Sequence, residues 1–468
     1  MRTARLVSAF SLLLLSVFSA AESDKSAVAF ATLPQAAQPV ASAALGRHNS
    51  TYPVSVQLAS LTSSLSQGAS EFGTSVAASG NTAVVGALYS LVNVSGAAFV
   101  FTKPKNGWVN MTQAATLIPS DKALACNFGG SVAISGNTIV VGASQNGYAC
   151  GLYGAGAAYV YVEPAGGWTG ILTETAKLTA ADGLQGDALG MSVSISGDTI
   201  VAGAPGTLSF TTPGSAYLFV KPANGWTNMT QTAKLTASDG VVNDGLGASV
   251  SISGNTVLAG ASGIFPSSTP GFAYVFLEPT NGWTNMTQTA KLTASDAVQG
   301  DALGASVSIS GNTVASGAPN HNSGRGAAYV FVRPFSGWTN MTQTAELPSS
   351  IGSSIAAGMG TSVATDSETV IAGAPYFSPG PIIRPGYSAY WREGAAFVFL
   401  KPKSGWANAS QSAHLTGSDA RNASYLGSSV AVNSEIVIAG APYLSHYSGA
   451  AYVFLRPRLC PDTPVSGE

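Results

Sequence analysis

The sequence predicts an all-β chain: a seven-bladed β-propeller of four-stranded antiparallel blades, closed by an N-terminal strand that completes the last blade. Three observations lead there. The string "GWTNMTQTAKLTASD" stands at residues 225–239 and again, unchanged, at 282–296, with a weaker copy, "GWTNMTQTAELPSS", from Gly337. A second phrase, seen as "FGTSVAASGNTAVVGA" from Phe72, returns from Phe128, Leu189, Leu246, Leu303, Met359 and Leu426, seven copies in all. The ends of the array are complementary: the seventh unit stops after its third strand, and an orphan strand-like stretch, "YPVSVQLASL" at residues 52–61, precedes the first. Self-similarity at a fixed period marks stacked units, none of which can bury its apolar faces alone.

Each unit reads as four strands, A to D. "SVSIS" alternates as strand A, and "GN" suits a two-residue hairpin turn because both residues tolerate positive φ. "TVLAGA" is the return strand B, its small side chains fitting a crowded position. "AAYVFV" is β-branched and aromatic on both faces, so strand C is expected to be buried on both. After a "GW" turn, "TQTAKL" supplies the outer strand D. Seven such sheets packed face to face around an axis bury both faces and protect most edges. Without residues 52–61 the seventh blade would expose an apolar edge that invites aggregation.

The chain divides into a signal peptide (1–21), a flexible Ala/Ser/Pro/Gln linker (22–53), the propeller (54–457) and a C-terminal tail (458–468). Arg2 and Arg5, an apolar run over 6–18 and small residues at 19–21 form the export signal. No later stretch is long and apolar enough to span a bilayer, so the mature chain is expected outside the cytoplasm, secreted or periplasmic, with no membrane span. Only 9% of residues are charged and the net charge is -2. That leaves no clustered basic surface for nucleic acid. No HExxH, GxSxG, phosphate loop or paired CxxC occurs. No catalytic residue is assigned, and the chain is not expected to be an enzyme.

These units resemble the FG-GAP repeats of integrin α-chain head domains and many exported bacterial proteins. The naming phrase is present as Phe72-Gly73 and Phe128-Gly129 and softened to Leu-Gly or Met-Gly elsewhere. The "GAP" is intact at Gly203-Ala204-Pro205, Gly317-Ala318-Pro319, Gly373-Ala374-Pro375 and Gly440-Ala441-Pro442. The resemblance spans about residues 54–457 and implies a propeller whose D–A and B–C loops form a ligand face. It also implies calcium in members that carry a "DxDxDG"-like loop. Here the A–B turns are only "GN", "GD" or "SE", too tight to wrap a cation that needs several oxygens. No metal or cofactor is expected.

The repeat breaks most in three B–C loops. Blade six inserts "YFSPGPIIRPGYSAYWREG" at residues 376–394, with Tyr376, Arg384, Tyr387, Tyr390, Trp391 and Arg392. Blade five carries "NHNSGRG", with His321 and Arg325, and blade seven "YLSHYSG", with Tyr443, His446 and Tyr447. Tyr, Trp and Arg anchor interfaces, and aromatic rings stack on sugars. These residues are therefore candidate ligand contacts, set against loops that vary because nothing binds them.

Other recurring residues have structural readings. The pairs Asp182/Asp187, Asp239/Asp244 and Asp296/Asp301 are expected to cap their own turns rather than act as acid/base pairs. The six GW tryptophans, at one repeat position, are read as packing residues. Cys126, in the D–A loop before blade two, and Cys150, in that blade's B–C loop, emerge on one face; export permits a disulfide, the alternative being two free thiols. Cys460 is left over. Asn49, Asn93, Asn110, Asn228, Asn285, Asn340, Asn408 and Asn422 each begin an N-x-[ST] triplet. They are glycan sites in a eukaryotic secreted protein, or bare triplets multiplied by duplication in a bacterial one.

The reading that follows is an exported binding or adhesion module for a protein or a cell-surface glycan. Two alternatives stay open. One is a secreted carbohydrate-active hydrolase or lyase, for which Glu393 and Asp366 are the only non-repeated acids in view. The other is a purely structural surface or matrix protein.

Overall fold

The computed structural model describes residues 56–64, 70–88, 96–121, 125–147, 152–206, 212–263, 269–348, 356–378, 392–419 and 423–457. Blades one to six span residues 72–117, 128–179, 192–236, 246–293, 306–348 and 362–415, and blade seven spans 429–455 plus the N-terminal strand. Blade four shows the plan. Strands A (Leu246–Ser253), B (Thr256–Ala261), C (Phe272–Leu277) and D (Ala290–Thr293) pair antiparallel in that order. At the A–B turn Gly254 takes φ 56°, while Asn255 stays out of the left-handed region. Only the glycine needs the freedom, as in a turn whose first central residue alone has positive φ.

Strand C is buried on both faces. Tyr274 and Phe276 join the apolar cluster shared with blade three, and Val275 the cluster shared with blade five. The described residues form seven such clusters, each combining side chains of two adjacent blades. Trp108, Trp168, Trp226, Trp283, Trp338 and Trp406 are all buried in them.

The repeated phrase has a cause where strands A of neighbouring blades meet. Ser249 Oγ donates to the Gly304 carbonyl of the next blade at 2.7 Å. Ser75, Ser131, Ser192, Ser306 and Ser362 repeat this bond onto Gly129, Gly190, Gly247, Gly360 and Gly427. Ser429 closes the circle onto Gly73 of blade one at 2.8 Å. The accepting glycines hold φ between 83° and 98°. A Cβ on the strand-B glycine, such as Gly260, would overlap the next blade's carbonyl. Neither position admits a side chain.

The strand Gln57–Thr62 pairs antiparallel with Ala450–Leu455, strand C of blade seven, and serves as that blade's strand D. One element differs from the four-stranded plan. Met286–Thr287 lies parallel to strand D of blade three (Ala233–Thr236), and equivalent two-residue segments strap other blades in the same way. The long repeated string is thus a strap onto the preceding blade as well as an outer strand. Asn285 Oδ1 accepts from the Lys234 N–H at 2.8 Å, Gln288 Oε1 from Ser238 N–H at 2.9 Å, and Thr289 Oγ1 from Leu277 N–H at 3.0 Å. Asn110, Asn228, Asn340 and Asn408 make the same 2.8 Å bond to Ser60, Lys177, Lys291 and Glu346. Five of the N-x-[ST] triplets therefore recur for a structural reason.

Asn49, Asn93, Asn422, Cys150, Cys460 and residues 1–55 and 458–468 lie outside the described residues. Cys126 is buried and disulfide-bonded, with its partner outside them too. Among the described residues no helix is long and apolar enough to cross a membrane.

Candidate functional site

The D–A and B–C loops meet on one face. In blades two to seven the glycine before strand C bridges to the residue that opens the "FG"- or "LG"-type phrase of the next blade, as in Gly326 to Met359 and Gly394 to Leu426. Hydrogen bonds continue around blades five to seven: Gly358 N–H to Gly324 O, Tyr376 N–H to Ala357 O, Leu426 N–H to Glu393 O, and Glu71 N–H to Tyr447 O. The irregular loops therefore form one connected rim.

On that rim four tyrosines touch edge to face. Tyr376 meets Tyr425 at 5.7 Å between ring centroids, Tyr425 meets Tyr443 at 4.8 Å, and Tyr443 meets Tyr447 at 5.1 Å. The Arg392 guanidinium sits 4.9 Å above the Tyr376 ring. Tyr376 and Tyr447 are 38% and 51% exposed. Burial, with the Glu71 carboxylate nearby, raises the Tyr443 hydroxyl above its ordinary value, so it stays protonated and able to donate. The structure thus unites Tyr376, Arg392, Tyr443 and Tyr447. Arg384, Tyr387, Tyr390, Trp391 and the His446 side chain lie outside the described residues. Arg325 is exposed on the blade-five loop.

Tyr425 and Glu71 were not among the expected residues, although the register of the repeats marks them. The residue before the "FG" or "LG" phrase is left-handed in all seven units: Glu71, Asn127, Ala188, Gly245, Ala302, Gly358 and Tyr425. Small residues or Asn fill most of these places. A tyrosine there, at φ 56°, carries backbone strain that sterics penalise by about 1–2 kcal/mol.

The aspartate pairs correct one expectation. The second of each pair does cap its turn: Asp187, Asp244 and Asp301 accept from the N–H three residues earlier. The first instead reaches the next blade. Tyr274 OH donates to Asp239 Oδ1 at 3.0 Å, and Lys291 Nζ bonds its Oδ2 at 2.6 Å. Tyr274 packs in the cluster shared with the preceding blade, which leaves its buried hydroxyl to be satisfied there. Burial raises the Asp239 carboxyl, but the bond and charge of Lys291, the Tyr274 hydroxyl and a backbone hydrogen bond together outweigh it and hold the group below the usual range. Asp121 and Asp182 pair likewise with Lys177 and Lys234. Where strand C carries Phe99 or Phe397 instead, the preceding loop has no Asp.

Blade five departs from this column. Its Tyr329 OH still reaches Asp296 Oδ1 at 3.1 Å, but Glu346 replaces the lysine. His321, on a single left-handed turn with Asn322 and Ser323 at φ 50° and 60°, enters the gap. Its Nε2 lies 3.6 Å from Asp296 Oδ2 and 4.0 Å from Glu346 Oε1, and its Nδ1 lies 3.1 Å from Asp301 Oδ2. Burial, then the Asp296 charge, raises the Glu346 carboxyl.

The sequence matches the FG-GAP repeat family over residues 56–101, 111–161, 172–219, 229–276, 286–331 and 409–454, together more than half of the chain. The chain belongs to the FG-GAP repeat family. The unmatched stretch holds most of blade six, which keeps the blade fold but carries the long insertion. No curated protein matches. Among solved structures, the WD40 β-propeller domain of Doa1 is similar with a TM-score of 0.46 and 11% identity, covering 86% of this chain and 97% of that one. In this FG-GAP propeller Asp366 is taken by a two-pronged ion pair, Arg456 Nε to Oδ2 at 2.7 Å and an Arg456 Nη to Oδ1 at 2.9 Å.

Proposed function

We propose that this FG-GAP propeller is an exported binding module whose ligand face is the tyrosine rim of blades six and seven, recognising a protein or a cell-surface glycan. The observation that carries the reading is the run of four contacting tyrosines under Arg392, with Tyr425 in a backbone conformation that a bulky residue rarely adopts. Strain of this kind persists where the surrounding structure over-determines it, and it clusters at ligand sites. Rings packed edge to face form a rigid platform that loses little entropy on binding, and their hydroxyls supply polar contacts. The engagement of Asp366 by Arg456 favours binding over acid catalysis, and the apolar run at 6–18 favours export.

Binding of the full mature chain to a glycan array and to immobilised surface proteins tests the proposal. Tyr376→Ala combined with Tyr447→Ala is expected to weaken capture at least tenfold, since removal of an aromatic anchor costs about 2 kcal/mol or more. Capture unchanged by both substitutions would reject the rim as the ligand face.

A further inference from the structure

We propose that Asp296, His321 and Glu346 of blade five hold a divalent transition-metal ion of the zinc type. The argument begins with the sibling blades. In blades two to four the space between the strand-D side chain and the preceding Asp holds a cation, the ammonium of Lys177, Lys234 or Lys291. Blade five keeps the Asp and exchanges the lysine for Glu346, so two carboxylates now face a place that elsewhere carries positive charge.

His321 completes a donor set there. One ligand atom from each of Asp296, His321 and Glu346 lies within 4.8 Å of the others. The imidazole is oriented from its far side. Its Nδ1 meets Asp301 Oδ2 at 3.1 Å, and that carboxylate, only 7% exposed, is itself fixed by the Val298 N–H at 3.0 Å. A carboxylate on one ring nitrogen is the arrangement that sets the tautomer and orientation of metal-binding histidines. It leaves the Nε2 lone pair turned toward Asp296 and Glu346. The ring also stands edge-on to Tyr329 at 5.9 Å, and the Tyr329 hydroxyl lies 3.1 Å from Asp296 Oδ1 and 3.3 Å from Oδ2, the oxygen that faces the imidazole.

The donor chemistry selects the ion. One imidazole and two carboxylates suit zinc and its first-row neighbours, whereas calcium takes six to eight oxygens. Zinc bonds of about 2.0–2.2 Å bring tetrahedral donors to roughly 3.3 Å apart. The observed 3.6 and 4.0 Å separations from Nε2 close to that by small side-chain rotations. Asp296 and Glu346 are 39% and 26% exposed, which leaves a path for the ion and a position for water.

The test is isothermal titration of the full chain, stripped with chelator, first with zinc chloride and then with calcium chloride. One zinc per chain is expected, with no calcium heat attributable to this site. Glu346→Lys restores the ion pair of the sibling blades, so in chelator it is expected to melt at or above the wild-type temperature, and it is expected to lose zinc binding; His321→Ala is also expected to lose zinc binding. Asp301→Asn is expected to weaken zinc by about 10–100-fold, the usual cost of losing a group that orients a ligand. His414→Ala serves as the control that retains full affinity. No saturable zinc binding by the wild type would overturn the site and leave His321 as a hydrogen-bonding partner of the acidic groups around it. Zinc affinity unchanged in both Glu346→Lys and His321→Ala would overturn it equally.

Discussion

Tyr425 occupies a backbone position that the other repeats fill with Ala, Gly, Asn or Glu, at φ 56°. Its ring contacts on Tyr376 and Tyr443 offset that strain without removing it. Replacing it with the glycine used at Gly245 and Gly358 is expected to leave the melting temperature unchanged or higher while weakening ligand capture at least tenfold, the trade expected of a strained functional residue. Thermal melts beside a capture assay check this. Glu346 makes a second prediction. A carboxyl whose folded pKa lies above its ordinary 4.5 binds its proton more tightly in the folded state. Its contribution to stability is therefore fully present in acid and lost as pH rises through the raised value. In chelator, Glu346→Gln is expected to melt higher than wild type at about pH 7, with the difference vanishing near about pH 4. A difference that grew toward acid would contradict the assignment.

At the scale of the element, the close approach of strand B to the next blade makes a sharp demand. Gly260 is not left-handed, so Gly260→Ala carries no φ penalty, yet its Cβ would overlap the Gly304 carbonyl and crowd Ser249 Oγ. Overpacking of this kind costs about 1–3 kcal/mol or more, and chemical denaturation is expected to show it as a lowered midpoint. The blades themselves were legible in the sequence because each strand repeats in register: alternation named strand A, two-sided apolarity named strand C, and the unpaired ends pointed to Gln57–Thr62. The parallel strap was not legible. "MT" is too short to read as a strand, and "NMT" reads as a glycan signal without disclosing that its Asn also accepts from the neighbouring blade's N–H. The division of labour within each Asp pair was hidden for a related reason. The first Asp answers a tyrosine on another blade, a contact that sequence spacing within one unit does not contain. Of the candidate site, the B–C tyrosines stood out as breaks in the repeat, whereas Tyr425 sits in a D–A loop whose left-handed geometry only the fold exposes.

The described residues form a ring held by seven similar joints, and among them the joint from Ser429 to Gly73 is the one made by distant parts of the chain. Removing residues 1–64 takes strand D from blade seven and exposes the edge of Ala450–Leu455. Such a truncation is expected to lower the melting temperature and to promote aggregation through the open edge, which light scattering reports. The closed ring also sets the regular blades against the irregular arc. Leu184, Val241 and Val298 are exposed at equivalent places in three regular D–A loops, at 63%, 54% and 59%, and offer an apolar ridge to compare with the tyrosine rim. The most direct measurement is the binding of the full chain to the glycan array and immobilised surface proteins in three forms: wild type, Tyr376→Ala with Tyr447→Ala, and Leu184→Ser with Val241→Ser and Val298→Ser. A loss confined to the tyrosine variant is the predicted result. Loss confined to the ridge variant, with the tyrosine variant binding as wild type, would contradict the placement of the ligand face on blades six and seven.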